Sequence, residues 1–142
     1  MRKDRRSLLK SLFENEAGHD NIDTQPVTAG EKVQDVPMFS PFRKHGNLVF
    51  VSGHGNRYDG DIRVHTDNVI KVIEEKLKNA GSSLDKVLKV NVYLNDINDM
   101  KGLNEVFRGR FGSNPPVRTT VAVNGGLPPA DAYIQMDCIA YV

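Results

Sequence analysis

Arg118, in the run Pro115-Pro116-Val117-Arg118-Thr119-Thr120, is the side chain with the most directed chemistry in the sequence. Its guanidinium stays charged at any accessible pH and presents a planar fork of N–H donors that matches the two oxygens of a carboxylate. An arginine projecting from the middle of a strand must find a partner or face a solvated pocket. Two readings stand: a clamp for a small carboxylate, or a salt bridge to Asp137 or to an acidic side chain of a neighbouring subunit. His54, directly after Ser52-Gly53, could transfer protons in a pocket, since an unperturbed imidazole titrates near neutrality. The competing reading of His54 is a loop histidine hydrogen-bonded to backbone. His65 reads as a structural or surface residue at the start of a helix. Ser52 has no acid placed beside a histidine, so triad chemistry is not expected. Cys138 falls on an apolar strand face and reads as a small buried hydrophobe, not a nucleophile.

The elements that must position these residues begin near Val36, where short apolar runs alternate with turn signals. Asn47 to Ser52 predicts a central strand, preceded by a tight turn at His45-Gly46 and an edge strand through Phe39 to Arg43. Gly53, Gly55 and Gly60 mark a loop. Val69, Ile70, Ile73, Leu77 and Ala80 repeat at helical spacing between about Asp61 and Ala80, with Gly81 as the stop. Val87 to Leu94 alternates as a strand, with Leu88, Val90, Val92 and Leu94 on one face and Lys89, Asn91 and Tyr93 on the other. Asn98 or Asp99 can cap a second helix whose stripe is Leu103, Val106, Phe107 and Phe111, ending at Gly112. Val117 to Val123 and Tyr133 to Val142 complete the order ββαβαββ.

Alternation in the last two strands assigns Val117, Thr119, Val121 and Val123, with Ile134, Met136, Cys138, Ala140 and Val142, to the face beneath the helices. The opposite face would carry Arg118, Thr120 and Ala122 beside Tyr133, Gln135, Asp137, Ile139 and Tyr141. Two helices cover only one side of such a sheet, and a mixed apolar face of this kind calls for a second subunit. Any site would lie near that interface.

Length and composition narrow the class. A chain of 142 residues is one domain by size. Its formal charge of +1, from 19 basic and 18 acidic side chains, gives no long-range attraction to nucleic acid or an anionic membrane. With a single cysteine there is no intrachain disulfide, and no Cys/His cluster has zinc spacing, so neither metal nor cofactor is expected. At the N-terminus, Asp4-Arg5-Arg6-Ser7-Leu8-Leu9-Lys10 resembles a twin-arginine export motif, but the chain turns polar where such a signal needs an apolar segment. Residues 1–30 read instead as a short amphipathic helix bearing Leu8, Leu9, Leu12 and Phe13, followed by a polar linker from Glu16 to Gly30, with the folded domain at 31–142. A cytoplasmic location is expected, with export as the alternative.

Four strings carry a family resemblance: Gly46-Asn47-Leu48-Val49-Phe50-Val51-Ser52-Gly53, Ala80-Gly81-Ser82-Ser83-Leu84-Asp85-Lys86-Val87, Val92-Tyr93-Leu94-Asn95-Asp96 and Pro115 to Val121. In content, order and spacing they resemble the RidA/YjgF family of reactive-intermediate deaminases, also called endoribonuclease L-PSP-like. The resemblance implies an α+β, chorismate-mutase-like fold with a mixed sheet and two helices on one face, assembled as a homotrimer with a pocket at each subunit interface. It also implies hydrolysis of 2-imino or 2-enamino acids to a 2-keto acid and ammonia.

By the same resemblance Arg118 matches the arginine that grips the substrate carboxylate. Gly53 matches a loop glycine beside the site, and Asn104 a helix asparagine near the pocket. Three positions depart from the pattern. Gln135 stands where deaminating members carry a glutamate that positions or activates water, Thr120 where many have cysteine, and Phe39 where many have a tyrosine. Glutamine orients a water but cannot take its proton. The resulting expectation is an imine deaminase using Arg118, Thr120 and Gln135, with Gly53, Asn104, Phe39 and His54 at the substrate. A non-catalytic keto-acid binding module is the alternative. The partners expected are the small carboxylate and copies of the chain itself, not nucleic acid or membrane.

Overall fold

The structure is a computed structural model that describes residues 36–142, so the expected N-terminal helix, linker and domain boundary lie outside the described residues. The elements follow the order β1 (Phe42–His45), β2 (Leu48–Gly55), α1 (Ile62–Asn79), β3 (Val87–Leu94), α2 (Met100–Phe107), β4 (Val117–Ala122) and β5 (Ile134–Tyr141). This is the ββαβαββ order the hydrophobic pattern predicts. Short 3-10 turns at Leu84–Lys86 and Ile97–Asp99 precede β3 and α2.

Local chemistry sets the ends of these elements. Gly46, at φ +56°, makes the turn that lets His45 pair with Leu48. The Asp61 carboxylate accepts the backbone N–H groups of Arg63 and Val64, capping α1. That helix stops at Gly81, whose φ of +83° excludes a further helical residue. For α2, Asp99 sits at the cap position without a side-chain bond, and it is Asp96 that accepts the Asn98 N–H at the start of the preceding turn. The second helix also ends earlier than its apolar stripe suggests, at Phe107, while Phe111 still reaches the core from the turn beyond.

One five-stranded sheet runs in the order β1-β2-β5-β3-β4, antiparallel throughout except for the parallel β3–β4 pair. A parallel pair needs a long crossover, and α2 supplies it. Val69, Ile70, Ile73 and Leu77 of α1 and Leu103 of α2 pack on Val49, Val51, Val90, Val92, Ile134, Met136 and Ala140 to form the core. Both helices therefore lie on one face of the sheet, and among the described residues no element covers the other, open face.

Two irregularities and one register correct the expected faces. Val87 pairs with Ala140 and Lys89 with Ile139, so Leu88 is an extra residue in β3. Val87 is consequently buried, whereas Leu88 points to the open side. In β2, Val51 pairs with Cys138 and His54 with Met136, again one residue too many. Gly53 and Gly55, expected in a loop, thus belong to the bulged end of a strand, while Gly60 lies in the loop beyond it. In β4 the assignment is reversed: Arg118 pairs with Val90 and Thr120 with Val92, both core residues. Arg118 and Thr120 therefore lie on the helix side, and Val117, Thr119 and Val121 on the open face. Register overrides hydrophobicity here because an edge strand has little helix above it. Val142, expected in the core, is partly exposed at the sheet end.

Candidate functional site

Arg118 projects from the edge strand toward α2. Its Nη2 donates to Asn104 Oδ1 at 2.8 Å, and its Cζ lies 4.7 Å from the centroid of the Phe107 ring. One helical turn of α2 thus supplies both contacts, since Asn104 and Phe107 are three residues apart and share a face. A stacked, singly hydrogen-bonded guanidinium is oriented while most of its donors remain available. Asn104 is accordingly the partner that aims Arg118. The salt bridge to Asp137 is overturned. Asp137 lies on the open face, where Asn91 Nδ2 donates to it at 2.8 Å and Tyr93 Oη at 3.3 Å, and Arg118 has no carboxylate partner among the described residues. Thr120, two residues along the same face, has a buried hydroxyl oxygen without a hydrogen-bond partner among the described residues.

A second group of predicted residues lies elsewhere. Phe39, Gly53, His54 and Gln135 line a cleft of 480 Å³ at the bulged end of β2, together with Ser52, Gly55, Lys76 and the Pro128-Pro129 pair. The bulge creates it: alternation from Val49 and Val51 would place Gly53 over the core, but the extra residue hands that position to His54. Gly53 gives room, since a Cβ there would stand 3.1 Å from the Gln135 amide nitrogen. At Gly55 a Cβ would meet the Ile134 carbonyl oxygen at 2.7 Å, so this strand end admits only glycine without movement.

His54 is neither in a loop nor bonded to backbone through Nε2, which is buried without a hydrogen-bond partner among the described residues. Burial, and then the nearby Lys76 ammonium, push its pKa below the usual histidine range, so the ring is neutral at physiological pH. Lys76, which the sequence alone does not single out, also lines the cleft. Its ammonium donates to Ser52 Oγ at 3.5 Å, and Ser52 in turn donates to the Pro41 carbonyl at 3.0 Å. Desolvation draws the Lys76 pKa down. Spacing places Lys76 on the stripe of Val69, Ile73 and Ala80, but it does not show which way the ammonium turns.

Two other residues are settled. His65 is buried, stacked on Tyr133 at 4.2 Å between ring centroids and edge-on to Tyr58. Its Nε2 donates to the Tyr58 carbonyl at 2.7 Å, so it is a structural pin. Cys138 is buried as expected, and desolvation raises its thiol pKa to about 12. Among the described residues, no group of three or more His, Cys, Asp or Glu side chains could hold a metal ion, and no helix is long and apolar enough to cross a membrane.

The predicted residues therefore fall into two clusters on one sheet: Arg118, Thr120 and Asn104 at the β4 edge, and Phe39, Gly53, His54 and Gln135 at the β2 bulge. Gln135 belongs to β5, and β3 separates that strand from β4. The family model described as endoribonuclease L-PSP matches residues 31–142. The chain belongs to the RidA/YjgF family. A RutC family protein of Pyrococcus abyssi is 42% identical over 110 residues, covering 72% of this chain and 85% of that protein. The crystal structure of RidA from an Antarctic Psychrobacter superposes with a TM-score of 0.69 at 31% identity, covering 75% of this chain and 90% of the other. A chloroplast protein of Arabidopsis thaliana named Reactive Intermediate Deaminase A is 32% identical over 109 residues, covering 72% of this chain and 57% of that protein. RidA/YjgF membership accounts for the α+β fold with its mixed sheet and one-sided helices.

Proposed function

We propose that the protein holds 2-imino or 2-enamino acids by their carboxylate at Arg118 and hydrolyses them to the 2-keto acid and ammonia. The observation that carries this reading is the Arg118 guanidinium, oriented by Asn104 and Phe107 yet without a carboxylate partner among the described residues. The name of the Arabidopsis relative supports the reaction class. In this reading the site is completed in a homotrimer, where the β4 edge of one subunit meets the β2 cleft of the next.

The chemistry is addition of water to C2 of the protonated imine, an enamine being first protonated by solvent at C3; the proton the water gives up then returns to the carbinolamine nitrogen, which leaves as ammonia as the C2 hydroxyl loses its proton to become the keto group. Gln135 orients the water and the neutral His54 ring accepts its proton, because glutamine cannot. Arg118 fixes the carboxylate so that C2 faces that water. The test is keto-acid release from freshly generated imino acids. Acceleration above buffer is expected, with Arg118→Ala losing about 2 kcal/mol or more of binding, roughly 30-fold, from removal of a charged partner. Gln135→Glu should raise the rate. No acceleration with several amino-acid-derived imines sinks the catalytic reading.

A second reading, a keto-acid binding module without turnover, is favoured by Gln135 and by the Thr120 hydroxyl, neither of which is an acid or base at neutral pH. Thermal stabilisation by 2-oxobutanoate, dependent on Arg118 and without product formation, distinguishes it.

A further inference from the structure

Among the described residues, Lys76 is the one charged side chain lining the β2 cleft, and no acidic residue lines it. Its aliphatic stem leaves α1 beside Ile73 and Leu77, and its ammonium is directed inward to the strand instead of outward to water. Neighbouring helix charges do not neutralise it: Glu74 is engaged by Lys78 at 2.8 Å, and Lys76 has no ion-pair partner among the described residues. Ser52 uses its hydroxyl hydrogen on Pro41, so toward Lys76 it can only accept. An ammonium has three N–H donors, and this contact occupies one of them, at long range. From β2 and β5 the neutral His54 ring and the Gln135 amide line the cleft with it, the protonated Cys138 thiol lies near it beneath, and none of these repels an anion. Phe39, Pro128 and Pro129 supply an apolar wall against which a short methylene chain can lie.

A partly buried cation without a counter-charge, in an open cleft walled by apolar and neutral polar groups, is complementary to a carboxylate carried on an aliphatic stem. We infer that the cleft is a subsite for a second carboxylate of the ligand, so that the preferred substrates are 2-imino and 2-oxo dicarboxylic acids. This rests on the reading above, in which Arg118 of a neighbouring subunit holds the carboxylate next to C2. Lys76 then sets specificity and takes no part in the hydrolytic step.

The experiment is isothermal titration of the full chain with 2-oxobutanoate, which has one carboxylate, and 2-oxoglutarate, which has two. Wild-type protein is expected to bind 2-oxoglutarate at least tenfold more tightly. Lys76→Met should bring 2-oxoglutarate down to the affinity of 2-oxobutanoate and leave the latter unchanged, while Lys76→Arg keeps most of the preference. Equal wild-type affinities, or a preference that persists in Lys76→Met, overturn the subsite. The wild-type comparison decides the matter even if a variant does not fold. Arg118→Ala separates the two ideas. If 2-oxobutanoate binds through Arg118 and 2-oxoglutarate binds no better, only the subsite fails. Should neither acid bind, or both bind unchanged in Arg118→Ala, the carboxylate clamp itself fails and takes the subsite with it.

Discussion

Cys138 stands on the buried face of β5 between Met136 and Ala140, with Asp137 beside it on the opposite face. Desolvation is the main reason its thiol pKa rises to about 12, and the Asp137 charge adds to it, outweighing the opposing pull of Lys76. At physiological pH the thiolate, the nucleophilic form, is then vanishingly rare, and the sulfur is also shielded. Native protein is expected to react with Ellman's reagent orders of magnitude more slowly than protein in denaturant, with one equivalent released only on unfolding. Stoichiometric reaction of the folded protein within minutes would contradict this. The contrast with Arg118 is instructive, because strand alternation in the sequence correctly buries Cys138 but turns Arg118 to the wrong face. In β5 one face is wholly apolar, so parity has a single solution. In β4 a valine face competes with Arg118, Thr120 and Ala122, and only pairing with Val90 and Val92 decides.

At the scale of elements, α2 matters because it carries both Asn104 and Phe107. Its distance from α1 is set at Gly102, where an added Cβ would overlap Ile62 Cγ2. Gly102→Ala is expected to cost about 1–3 kcal/mol through overpacking, partly offset by about 1 kcal/mol of helix propensity that alanine gains over glycine. A lower melting temperature should therefore accompany weaker carboxylate binding, since the displaced helix no longer aims Arg118. An unchanged melting temperature with unchanged binding would show that the helix spacing is not critical. Much of this architecture is legible in the sequence. The 3.6-residue stripe through Val69, Ile73, Leu77 and Ala80 and the alternation of Val90, Val92 and Leu94 mark elements that coincide with α1 and β3. The bulges are not legible, because one extra residue leaves composition and local periodicity almost untouched while moving every later side chain to the other face. That is why the Gly53 to Gly55 stretch reads as a loop. Lys76 escapes for a different reason: a lysine in a helical stripe ordinarily reaches for solvent, and only the packed strand shows its ammonium directed at Ser52.

For the whole molecule, the open face of the sheet bears Leu88 at 46%, Val117 at 68% and Val121 at 43% exposure, with Phe50 and Tyr141 also partly exposed, whereas Tyr133 stacks on His65 of α1. The corrected β4 register makes this face more apolar than alternation alone implies, because Val117 and Val121 join it and Arg118 leaves it. Exposed apolar side chains on one face of this kind are the signature of an interface, and the proposed trimer would cover them while bringing each Arg118 edge to a neighbour's cleft. Val121→Glu places a carboxylate in that interface without touching the core. It is expected to convert the assembly to folded monomers in light scattering after gel filtration, since a buried unpaired charge costs several kcal/mol per subunit. Circular dichroism should be retained and binding of 2-oxobutanoate lost, although Arg118 and the cleft are both intact in each chain. Glu75→Lys, on the exposed side of α1, serves as the charge control and should leave mass and binding unchanged. Wild-type protein that is monomeric, or Val121→Glu monomers that bind as tightly as wild type, would show that each chain holds its ligand alone.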